Sequence, residues 1–310
     1  MKPMSPLEPS GILDAHIHLY GPEASADPAV WGAAHGEPGW VECVAPSGRR
    51  SIQGWSDPGA LISDMDAAGV GTCVLQGWYW QRQETCDLQN GWYLDWTRRH
   101  PGRLLAFAAV QPAAGRRALE ALERALDSGM RGVGELLPQA QGYDLGDPWL
   151  RRTVELAIAR RLPLTFHATD PAAGPAAGPA TPLGAYASLA RAYPEATIIL
   201  AHWGGGLAFR GEDGCDPLPG NLYFDTAASP LLYDPGVFRR ALDRVGPSRI
   251  LYGSDYPLLL YPKASRTPGF RPFLDEIASA GLSPAERELV LGGNMRRLLS
   301  AGLAPGPKRV

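Results

Sequence analysis

The sequence predicts an α/β protein of the (β/α)8 TIM-barrel class with a long loop insertion after the first strand, and three observations carry that expectation. Short apolar runs rich in branched residues recur eight times along the 310 residues. Stretches with helical periodicity separate them. Side chains able to do chemistry fall at the far ends of several runs, where such barrels keep their active sites. The length also fits, because these barrels span roughly 200 to 400 residues. At 45% hydrophobic content the chain can bury a core as one domain over 1–310. A doubly wound open sheet is the alternative. No Gly-x-Gly-x-x-Gly follows the first run, so its dinucleotide-binding version is disfavoured.

The expected strands are 11–18, 70–76, 104–110, 131–136, 163–167, 197–202, 221–225 and 249–254. Between and after them, 58–68, 88–99, 115–128, 148–161, 184–193, 235–245 and 270–280 read as helices, with charges spaced around Leu and Ala. Asp57-Pro58 and Asp147-Pro148 mark two starts, each a capping carboxylate before a proline at the first helical position. Residues 20–57 form a connection far longer than the usual run of about two to six, which suggests an active-site lid without structure of its own. It carries Trp31, Trp40 and Trp55. Trp78-Tyr79-Trp80 follow the second strand and should face the same end of the barrel, giving an aromatic wall with Trp78 and Trp80 as substrate contacts. The same rings could instead pack the long loop down or meet a second copy in a homo-oligomer. The Ala-Ala-Gly-Pro repeat within 170–182 reads as a surface loop near the site entrance.

His16-Ile17-His18 closes the first run. Side chains at i and i+2 share one face of a strand, so both imidazoles can reach one metal ion. Partners appear at later run ends: Glu135 in the fourth, His167 after the fifth, His202 after the sixth and Asp255 after the eighth. His35 and His100 fall in loop or helix-end positions and read as packing residues. Arg49, Arg50, Arg82 and Arg210 are loop candidates for binding a substrate carboxylate.

A net charge of −3 without a basic run argues against nucleic acid or a membrane surface as partner and for a small molecule, aromatic or heterocyclic in view of the tryptophans. Neither a signal peptide nor a membrane span is expected, which points to a soluble cytoplasmic protein. Cys43, Cys73, Cys86 and Cys215 lack zinc-ribbon or disulfide spacing.

Five segments in order, Asp14-Ala15-His16-Ile17-His18, the strand ending in His167, Ala201-His202-Trp203-Gly204-Gly205, Leu251 through Pro257 and Gly292 through Leu299, resemble the amidohydrolase superfamily, specifically its amidohydrolase-2 branch. The resemblance implies that His16, His18, His167 and Asp255 bind a divalent metal, with His202 beside it as acid, base or substrate contact. Glu135 stands where many superfamily members carry a bridging carboxylate, so it joins the ligand candidates, although one ion is favoured over two. Zinc is the expected metal and manganese the alternative. The leading expectation is hydrolysis of an amide, ester or lactone by a metal-activated water, with Asp255, His202 and Glu135 as catalytic groups. The branch also contains nonoxidative decarboxylases of hydroxylated aromatic acids, which form the second expectation, and a non-enzymatic binding protein is the third.

Overall fold

The computed structural model describes residues 11–173, 180–211, 215–260 and 266–302. Most of the Ala-Ala-Gly-Pro repeat lies outside the described residues. Eight parallel strands follow the chain in order: β1 (Ile12–Ile17), β2 (Val70–Leu75), β3 (Leu104–Ala106), β4 (Val133–Leu136), β5 (Leu164–Phe166), β6 (Ile198–Leu200), β7 (Leu222–Asp225) and β8 (Ile250–Leu251). Regular ladders join β1 to β3 and β4 to β8. Two seams close the circle. At one, Ala108 N donates to Gly132 O and Gly134 N to Ala108 O; at the other, Ala15 N donates to Tyr252 O and His18 N to Tyr256 O. The expected barrel is therefore present, with shorter strands than the apolar runs suggest. At the end of β3 a side chain replaces the ladder: Asn90 Oδ1 accepts from Ala109 N while its Nδ2 donates to Ala109 O.

Leu13, Ala15, Val74, Leu105, Phe107, Ile199 and Leu251 form one buried cluster with Met295, Leu298 and Leu299 of the final helix, Asn294–Ala301. Side chains from strands that are not neighbours can meet only inside a barrel, so this cluster is its interior floor and the last helix plugs it. Residues on the other strand faces pack against the surrounding helices in the larger core. Among the described residues no helix is long and apolar enough to cross a membrane.

Helices beyond those expected lie at Pro138–Gln141, Ser229–Leu232, Pro284–Glu288 and Asn294–Ala301, and two further departures bear on the site. The helix expected at 88 starts at Gln83, because the carboxylate of Glu37, distant in sequence, accepts from Gln81 N and Arg82 N. The connection 20–57 is not structureless: it holds helices at Pro22–Ala26, Pro28–His35 and Pro38–Val44, each opened by a proline at its start. Asp27 caps the second by accepting from Val30 N, the same signal as at Asp57 and Asp147.

Candidate metal centre

A bulge in β1 brings His16, and His18 just after the strand, inward. Asp14 lies opposite Cys73 but Ile17 lies opposite Leu75, so β1 holds one extra residue over that interval. Leu13 and Ala15 belong to the interior floor, and the extra residue turns His16 and His18 inward as well, one layer higher. Asp14 holds the bulge by accepting from His16 N and Ser254 N through one oxygen. Gly253 allows the approach, since a Cβ there would lie 2.8 Å from the Cβ of His16.

The hydrogen bonds set which nitrogens face the site. His18 Nδ1 lies 3.1 Å from the carbonyl of Gln76, and His16 Nδ1 lies 2.8 Å from Asp225 Oδ2. Both partners only accept, so both Nδ1 atoms donate. The two Nε2 atoms are left facing each other at 3.0 Å. Glu135 Oε2 stands 3.6 Å from the His18 Nε2 and 3.9 Å from that of His16, and Asp255 Oδ1 repeats those two distances. Four acceptor atoms converging in a buried space repel one another unless positive charge lies among them. Burial alone would depress the His16 pKa, but Asp225, Glu135 and Asp255 outweigh it and push it up to about 10. Burial and the neighbouring His16 hold His18 down to about 4. The group thus draws in one positive charge, and imidazole plus carboxylate donors suit a first-row divalent ion.

A second group shares Glu135. Its Oε1 accepts from His167 Nδ1 at 2.9 Å, and His202 Nε2 stands 3.7 Å away. Burial alone would raise the Glu135 pKa, yet His167 and His16 overrule it and hold the carboxyl well below its usual range. His202 Nδ1 donates to the carbonyl of Ala227, leaving Nε2 toward the site, while burial, followed by the charge of His167, lowers its pKa. The structure thus gathers all the expected strand-end residues. His16, His18 and Glu135 form one candidate ligand triad, and Glu135, His167 and His202 another. His167 reaches the first triad through Glu135. His202 and Asp255 both adopt left-handed backbone, at φ 56° and 67°, a conformation costing about 1–3 kcal/mol outside glycine and concentrated at functional sites.

Above these groups opens a cavity of about 500 Å3. Trp78 meets His18 edge-on at 5.3 Å, stacks on Tyr79 at 4.3 Å, and Tyr79 in turn lies 5.3 Å from His167, so the two rings form a slab beside the candidate ligands. Leu231, Leu232 and Tyr233 contribute to the rest of the wall, and Arg49 lines the cavity too. Two expected substrate contacts lie elsewhere. Trp80 is fully buried, donates to Gln89 and packs with Tyr20, Trp31 and Trp40 beneath the insertion. Arg210 pairs with Asp170 at 2.5 Å and borders a neighbouring depression instead of the main cavity. Of the other histidines, His35 stacks on Trp31 and His100 follows a helix end. Cys43 lines the cavity, and burial pushes its thiol pKa up. Tyr79 takes its place in the expected aromatic wall, and Asp225 is the site residue that strand-end reasoning passes over. Asp225 ends an expected strand just as Asp255 does, which is the signal that could have found it.

The sequence profile of the amidohydrolase family matches residues 13–300, a span that includes every site residue above. The chain belongs to the amidohydrolase family. No curated protein matches it, but solved structures resemble this amidohydrolase-family chain. A dihydroxybenzoic acid decarboxylase from Polaromonas sp. JS666, with bound manganese and the inhibitor 2-nitroresorcinol, shares 19% identity at a TM-score of 0.65, covering 94% of this chain and 97% of that one. The 5-carboxyvanillate decarboxylase from Novosphingobium aromaticivorans, complexed with manganese and 4-hydroxy-3-methoxy-5-nitrobenzoic acid, shares 15% at 0.70, covering 94% and 96%. A putative amidohydrolase from Staphylococcus aureus shares 18% at 0.65, covering 93% and 99%. At these identities the likeness establishes the fold.

Proposed function

We propose that this protein is a metal-dependent nonoxidative decarboxylase of a hydroxylated aromatic acid, in preference to the hydrolase that the sequence favours. The observation that carries the reading is the Trp78–Tyr79 slab beside the histidine and carboxylate groups, within a largely apolar cavity suited to a planar ring. The manganese-bound aromatic-acid decarboxylases among the structural neighbours support it.

His16, His18, His167 and Asp255, with Glu135, are the residues that would hold one divalent ion. When bound, such an ion supplies Lewis acidity toward adjacent substrate oxygens. The remaining work falls to the chain. Decarboxylation replaces a ring carbon–carboxylate bond by a carbon–hydrogen bond, so one proton must be delivered as carbon dioxide leaves. Asp255 lines the cavity and keeps 15% of its side chain exposed, against 1% for Glu135. It can take a proton from water and deliver it to the ring. His202, its Nδ1 committed to Ala227, offers Nε2 as a hydrogen-bond acceptor for a substrate hydroxyl. Arg49 on the insertion would pair with an anionic substituent.

The reaction class is tested with metal-reconstituted protein, an ortho-hydroxy aromatic acid and doubly labelled water. Decarboxylation releases carbon dioxide and leaves one solvent deuteron on the ring with no heavy oxygen in the product. Turnover of an ester, amide or lactone that incorporates heavy oxygen, with no carbon dioxide from any aromatic acid, overturns the reading and restores hydrolysis.

A further inference from the structure

Asp225, at the end of β7, is fully buried and does not line the cavity, yet it touches both halves of the site. Its Oδ2 accepts from His16 Nδ1 at 2.8 Å. Its Oδ1 accepts from the backbone N–H of His202 and of Ala227, each at 3.0 Å. The carbonyl of that same Ala227 accepts from His202 Nδ1 at 3.1 Å. We propose that Asp225 is the positioning residue that fixes the tautomers of His16 and His202 together, so that both present an Nε2 lone pair to one site.

An ionised carboxylate only accepts, so the His16 proton is held on Nδ1 and its Nε2 is released for a metal. The other oxygen pins the left-handed backbone at His202 and the turn whose carbonyl orients the His202 ring. One side chain thereby aligns a metal ligand on β1 with the candidate proton-transfer or substrate-binding group after β6. These two residues are 186 positions apart in the chain, and β7 pairs with β6 and β8 and not with β1.

The inference rests on the reading of His16 as a metal ligand and not on the identity of the substrate. Its test is the binding of manganese and of zinc, measured by competition with a chelator, in wild type, Asp225→Asn and Asp225→Ala. Asparagine keeps the volume and can still accept from His202 N and Ala227 N, but doing so turns its amide N–H toward His16 Nδ1. That nitrogen must then accept, which moves the proton to Nε2 and blocks the ligand. Alanine removes the contacts without imposing the wrong tautomer. The expected order of affinity is wild type, then Ala, then Asn, with Asn about 10- to 100-fold below wild type. Thermal unfolding of the metal-free chains should run the other way, with Asn closer to wild type than Ala. A purely structural carboxylate predicts that Asn also binds metal better than Ala, and that result overturns the proposal. If Ala does not fold, Asp225→Ser takes its place, since a hydroxyl can either donate or accept. Wild type that binds neither ion defeats the metal reading itself and the proposal with it; wild type and Asn binding equally defeat the proposal alone.

Discussion

The floor and the roof of the cavity are built differently. The floor consists of residues at strand ends, His18, Glu135 and His202, backed by His16 and Asp225, which do not line the cavity; all are buried and tied to one another or to the backbone by hydrogen bonds. The roof comes from the insertion at 20–57 and from the connections after β2, β5 and β7, which supply Arg49, Trp78, Tyr79, Asp170 and Tyr233. It is anchored at discrete points: Glu37 to the turn at 81–82, Ser56 to the hydroxyl of Tyr256, and the carbonyl of Ile52 to Leu259 N. The difference teaches where chemistry and selection reside. Groups fixed by the barrel determine what can react, and groups carried by connections determine what can enter.

That division can be broken at the floor first. His202→Asn should keep its metal content and lose about 100-fold in kcat/KM, the upper worth of a charge-assisted hydrogen bond of about 1.5–3 kcal/mol to a substrate hydroxyl. Metal analysis beside turnover checks it, and loss of metal would make His202 a ligand together with Glu135 and His167. On the roof, Arg49→Gln should raise KM about 10- to 100-fold for an anionic aromatic acid, the worth of a charge-assisted hydrogen bond of about 1.5–3 kcal/mol. Its kcat and metal content should stay near wild type; a fall in kcat with KM unchanged would move Arg49 into the chemistry.

The smallest effect is expected at the Asp170 clasp between two roof segments. Burial alone would raise the pKa of Asp170, but hydrogen bonds from Arg210, Tyr233 and Ala172 N outweigh it and hold the carboxyl below its usual range. A carboxyl depressed on folding stabilises the folded chain above its unfolded pKa of about 3.8. That contribution is lost as pH falls through the lower folded value. Arg210 is 42% exposed, so solvent screening keeps it within about 1 kcal/mol. Asp170→Asn should therefore lower the unfolding temperature slightly at pH 7 and converge with wild type in strong acid. A constant gap at every pH would assign the effect to packing.

Much of the floor was legible because its signals are local. Apolar runs mark strands, and a histidine or carboxylate closing such a run is visible one residue at a time. The barrel itself followed from alternation, and the helix starts at Asp57 and Asp147 from caps adjacent in sequence. Where the deciding contact is remote, the sequence carries no local sign of it. Gln83 begins a helix because of Glu37, and Trp80 sinks beneath the insertion while Trp78 two positions earlier faces the cavity. The short helices of 20–57 are the exception, since Asp27-Pro28 carried the same local signal as the helix starts that were read.

By itself the sequence determined the strand order, the closing histidines and carboxylates and the family they mark, because side-chain period and capping act within a few residues. The tertiary structure decided the rest. The β1 bulge turned His16 and His18 inward, Glu135 came to stand between two imidazole pairs, Arg210 was spent on Asp170, and Asp225 joined His16 to His202. Each of these depends on atoms brought together across the barrel. Hydrogen-bond direction and charge proximity are properties of space, and spacing along a chain does not encode them.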